Sequence, residues 1–167
     1  MSSKFSVNRI VSDHISTLRI NGTDNRDWSA IFTNFILPLI VAILFIYYGI
    51  IIVSREFTVI LTAFSVFAAL LLNLMILVFS IVNREKEKDE EKRDIMKIQL
   101  LKETYENIQF TVLTSVIIIV VILFMLFIPF NTYLALILSF VVYYLVFVFI
   151  VTLFMVLKRT HSIMSKE

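Results

Sequence analysis

With 167 residues, 59% of them apolar, and a mean hydropathy of +0.93, the chain is neither an ordinary soluble domain nor a disordered one. A net charge of +2 is too small to point to nucleic acid as a partner, and the absence of cysteine removes disulfides and thiolate metal sites. The length suits one helical bundle and no second globular domain.

Residues 1–27 hold no apolar stretch followed by a small-residue cleavage site and no lipidation signature, so they are expected to remain on the mature chain as a cytosolic segment. Within them Lys4 to Ile20 reads as an amphipathic helix. At helical spacing Val7, Ile10, Val11, Ile15 and Leu18 share one face, and Arg9 and Arg19 lie outside it as candidate lipid or partner contacts. His14 falls inside the apolar face. It reads as a hydrogen-bonded histidine where the helix meets headgroups or the bundle, or as a pH-sensitive contact. Asn21-Gly22 signals a turn, and Thr23 or Asp24 can cap the next helix with Asp27 in its first turn.

Residues 28–83 hold two uncharged stretches of 27 residues each, Trp28 to Ser54 and Phe57 to Asn83, read as a transmembrane hairpin turning at Ser54-Arg55-Glu56. Pro38 is expected to bend the first span. Along the second, Thr62, Ser65, Ala69, Asn73 and Ser80 recur at helical spacing. Such a face packs against another helix of the bundle, or lines an oligomer interface or pore. Asn73 needs a partner in the hydrocarbon, and Asn34 of the first span is the obvious one within the hairpin.

Residues 84–106 form a connector in which 15 of 23 side chains are charged. It reads as the helical ends of spans two and three with a turn near residues 89–94. Ile98, Leu101, Tyr105 and Ile108 make an apolar stripe running into span three; the first three are candidate partner or lipid contacts. Residues 107–157 are 51 uncharged residues, which as one helix would reach roughly 76 Å against a hydrocarbon core of about 30 Å. They are expected to form a second hairpin turning at Pro129-Phe130-Asn131-Thr132, with Thr111, Thr114 and Ser115 near its cytosolic end. Ala135, Ser139 and Tyr143 share one face of the last span, of which Ser139 and Tyr143 are candidate packing or pore-lining residues. Residues 158–167 form the tail.

Fourteen Lys and Arg residues lie on one side of these spans and only Arg55 on the other, which by the positive-inside rule puts both termini and the connector in the cytosol of a bacterial inner membrane. The spans carry no Asp, Glu, Lys, Arg or His and one glycine, Gly49. That disfavours proton-coupled transporters, voltage sensors and carbonyl-lined filters. Two isolated histidines, His14 and His161, with no Gly-rich phosphate loop, give no catalytic, cofactor or metal constellation.

The fold class is therefore an all-α integral membrane protein: four spans as two hairpins, a cytosolic helical connector and an N-terminal amphipathic helix. In that architecture the chain resembles membrane components of bacterial antiphage defence systems and, second, phage holins. The resemblance implies a non-enzymatic, homo-oligomeric effector or sensor that perturbs the bilayer or forms a gated pore. The alternative is a membrane anchor that recruits a cytosolic protein partner.

Overall fold

The computed structural model describes residues 7–18, 27–52, 54–87, 95–127 and 133–164. It is helical throughout, with α1 (Val7–Ser16), α2 (Trp28–Ile31), α3 (Leu37–Tyr47), α4 (Ser54–Lys86), α5 (Ile95–Met125) and α6 (Tyr133–Met164). Four of its rods are long and apolar enough to cross a membrane, as their hydropathy requires. The first rod is composite: α2 and α3 are joined by one π-helical stretch, Phe32–Ile36. Pro38 explains it. A proline cannot donate to the carbonyl four residues back and its ring crowds that group, and a wider turn just ahead relieves both problems. Asp27 caps this rod by accepting from the Ser29 and Ala30 amides, so the cap is Asp27 rather than Thr23 or Asp24, which lie outside the described residues.

The first connection also differs from the expected one. α3 ends at Tyr47, and Ser54, Arg55 and Glu56 already belong to α4. The chain leaves the helix through Gly49, whose φ of 73° is a left-handed conformation open to glycine. Beyond it the Ile52 amide donates to Ser139 Oγ of α6 at 3.4 Å. This swings the first rod away from the second. Among the described residues α3 packs on α6 and not on α4, while α4 packs along α5, and α5 along α6. Residues 28–83 are thus not a packed hairpin, whereas α5 and α6 do lie side by side. The proposed Asn34–Asn73 bond is absent for the same reason.

At about 1.5 Å per residue the 33 residues of α4 and the 31 of α5 reach beyond a hydrocarbon core of about 30 Å. Their charged ends therefore project from it as helix. The turn expected near residues 89–94 and the one at Pro129 lie outside the described residues. Helix α5 is the axis of the bundle and its most buried member. Its half away from the charged end buries Ile118, Ile122 and Met125 against Phe57, Phe64 and Val142 in one apolar core. Phe149 of α6 takes Phe64 and Phe67 of α4 edge-on or tilted, and Phe45 of α3 meets Tyr143 and Phe147 of α6. The half nearer the charged end buries polar groups as well as Leu101 and Ile108.

Candidate site where the N-terminal helix seats on the bundle

Toward the charged end, α5 buries Thr104, Asn107, Thr111, Thr114 and Ser115. Four of the five hydroxyls and amides are spaced three or four apart, one face of a helix. The hydroxyls are satisfied locally: Thr104, Thr111 and Thr114 donate to the carbonyl four residues back and Ser115 to the one three back. Thr152 of α6 does the same. Their polarity is spent on their own helices, so the interior of one chain is a closed seam.

Asn107 is the exception, and α1 is built onto it. Its Oδ1 lies 2.8 Å from His14 Nδ1 and 2.9 Å from Thr17 Oγ1, both of α1 or its last turn. All three residues are buried. The Thr17 hydroxyl has one proton and two acceptors in reach, since the His14 carbonyl is also 2.8 Å away. Turning the Asn107 amide over lets Nδ2 donate to both the ring nitrogen and Thr17, which frees the hydroxyl proton for the carbonyl; the imidazole proton then sits on Nε2. In either arrangement the ring is neutral. It stacks on Phe110 with centroids 3.9 Å apart and planes 1° from parallel, and meets Phe35 of the π-helical stretch edge-on. Removal from water holds its pKa down from 6.5 to about 4, with Arg159 adding repulsion and a bond donated by the ring to Asn107 Oδ1 opposing both.

Arg159 of α6 completes the seat. Its Nη2 donates to the Thr17 carbonyl at 2.8 Å, placing a cation at the C-terminal end of α1, where the last carbonyls have no partner within the helix. Its Nη1 lies 3.4 Å from Glu103 Oε2 of α5. One guanidinium thus ties α1, α5 and α6 together. The Asp27 amide donates to the Leu18 carbonyl, so the start of the first rod is stitched to the same point.

The sequence singled out His14 and not its partners. Thr17, Glu103, Asn107, Phe110 and Arg159 come from three elements, and only the Asn107, Thr111, Thr114 spacing hinted at a polar face. The aliphatic face expected of α1 is split: Leu18 is buried, but Val7 and Ile15 are 49% and 40% exposed, so the seated face is centred on His14. Arg9 is exposed beside Asp13, and Arg19 lies outside the described residues. Of the connector stripe, Leu101 and Ile108 are buried, while Ile98 and Tyr105 are half-buried. Asn34 is buried in the π-helical stretch, donating to the Ala30 carbonyl and approaching Met155 Sδ of α6 at 3.7 Å. Ala135 and Ser139 of α6 face inward and Tyr143 is half-buried.

The stripe on α4 does the opposite. Thr62, Ser65, Ala69, Asn73 and Ser80 are all exposed, so this face packs against no other helix among the described residues. Ser80 donates to the Ile76 carbonyl, but Asn73 makes no side-chain hydrogen bond among the described residues. The reason is the splayed first rod, which leaves α4 at an edge of the bundle, its backbone packed along α5 alone among the described residues.

No family model, no curated protein and no solved structure matches this chain.

Proposed function

We propose that the protein is a homo-oligomeric membrane effector whose copies meet through the outward face of α4 and enclose a gated path between them. The observation that carries this is the exposure of Thr62, Ser65, Asn73 and Ser80 along the lipid-facing side of an apolar rod. A carboxamide in hydrocarbon without a partner costs on the order of several kcal/mol, which a second copy or a column of water relieves. Because the hydroxyls inside each chain are already satisfied, the path lies between copies and not through one. Ser, Thr and Asn with aliphatic constrictions suffice to line it. Both termini and the connector face the cytosol, so the His14 seat is where a signal reaches the bundle. The architectural likeness to antiphage membrane components supports infection as the trigger to test.

Anchoring of a cytosolic protein is the competing function, and one observation favours it: Ile95, at the start of α5, is 77% exposed beyond the membrane.

Expression in bacteria with a membrane-potential dye and a DNA-binding permeability probe, with and without phage, separates the two. The effector reading expects depolarisation on triggering, abolished by Asn73→Leu together with a fall in the mass of the detergent-solubilised particle. A wild-type monomer, or a potential that holds under every trigger while a cytosolic protein co-purifies, would leave the anchor. Topology is checked separately. Single cysteines at Ser54 or Thr132 are expected to react with an impermeant thiol reagent outside intact cells, and those at Ser3 or Ser165 are not; reaction at Ser165 would reverse the orientation.

A further inference from the structure

A cleft of about 610 Å³ opens between α1, α4 and α5 at the charged end. It is separate from the His14 seat and shares no residue with it. Its position along the chain identifies the level at which it sits. On α4 it is lined by Phe79, Val82 and Asn83, the last uncharged residues before Arg84, and by Lys86 just beyond. On α5 it runs from Lys102 and Tyr105 to Gln109 and Leu113, across the point where the uncharged run begins at Asn107. Both helices therefore pass from charged to uncharged within it, which is the level of phospholipid headgroups.

Its chemistry divides the same way. Phe79, Val82 and Leu113, with Val7 and Ile10 of α1, supply apolar wall, while Arg9, Lys86 and Lys102 bring cations from three different elements against the two carboxylates Asp13 and Glu106. The Lys102–Glu106 pair, at 3.9 Å, is longer than a hydrogen bond, so that ammonium can turn its protons to another acceptor. Three cations from three elements above an apolar wall, at headgroup level, complement one kind of molecule. We propose that this cleft binds an anionic phospholipid of the cytosolic leaflet, its phosphate among Arg9, Lys86 and Lys102 and an acyl chain along Phe79 and Leu113. Bound there, the lipid bridges α1 to the ends of α4 and α5.

The inference rests on the membrane topology given above and not on the pore. The test uses full-length protein carrying Trp28→Phe and Tyr105→Trp, so that the only indole lies in the cleft, reconstituted in phosphatidylcholine vesicles. Bromine-labelled phosphatidylglycerol is expected to quench that indole at a mole fraction at least about fivefold lower than bromine-labelled phosphatidylcholine at roughly 0.1 M salt, and the difference is expected to shrink at roughly 0.5 M. Lys86→Gln with Lys102→Gln is expected to remove the preference. Equal quenching by the two lipids at low salt, or a preference indifferent to salt, would overturn the proposal, and the salt arm decides even where the double variant does not fold. Both leaflets carry the probe lipid, so the result does not depend on orientation. A failed pore assay with a retained lipid preference would count against the effector reading alone.

Discussion

Lowering the pH from about 7.5 to about 5 is expected to weaken the seating of α1 by roughly 30-fold. His14 has its ordinary pKa of 6.5 when α1 is detached and about 4 when seated, because the seat excludes water and sets Arg159 nearby. The proton therefore prefers the detached helix. Seating is fully stable above pH 6.5, loses about 1.4 kcal/mol per unit as the pH falls below it, and levels off below about pH 4, having lost about 3 kcal/mol in all. Hydrogen-exchange protection across Ile10 to Leu18, corrected for the intrinsic rate at each pH and measured in nanodiscs, reports this directly. His14→Gln keeps a hydrogen-bonding side chain for Asn107 and does not titrate, so its protection is expected to stay flat. Asn107→Leu removes the shared partner of His14 and Thr17 and is expected to cost about 1–3 kcal/mol of seating at neutral pH. Wild-type protection unchanged between the two pH values would show that His14 does not govern the seat.

A larger loss is expected from Arg159→Met. The variant strips the donor from the Thr17 carbonyl and the counter-charge from Glu103, whose side chain is only 19% exposed in the folded chain. Removing one partner of a buried pair costs about 3–5 kcal/mol, and the residual exposure here places the loss toward the lower end. Adding Glu103→Gln is expected to recover part of it, because the carboxylate left behind is then neutral. Global stability, read from unfolding in mixed detergent, and α1 protection are expected to move together in the single variant and to separate in the double one. Strictly additive losses would mean that the 3.4 Å approach of Arg159 to Glu103 carries no coupling.

These outcomes bear on how a signal could enter the molecule. Among the contacts that hold α1 are one shared amide, one stacked ring and one guanidinium. Anything that pulls on it, whether acid, a lipid in the neighbouring cleft or a cytosolic partner, acts at the ends of α5 and α6.

The four rods and their charged ends were legible in the sequence, because the hydrocarbon admits only long uncharged helices and hydropathy marks them residue by residue. A helix near the start of the chain was legible, with His14 as its odd member, but not the face by which it seats. Which helices touch was not. The expected first hairpin rested on proximity in sequence, yet a left-handed Gly49 and the Ile52–Ser139 bond turn the chain away after α3, so α4 finds α5 and is left at an edge. The direction of each polar stripe was equally hidden. Thr62, Ser65 and Asn73 on α4 and Thr104, Asn107 and Thr111 on α5 have similar spacing and composition, and one set faces out while the other is buried. A hydroxyl in a helix can satisfy itself on the carbonyl of the preceding turn, so its polarity does not say which way it must point. Sequence alone thus determined that four helices are long and apolar enough to cross a membrane; the tertiary structure decided which faces meet, because inside a bilayer packing partners, and not affinity for water, choose the interior.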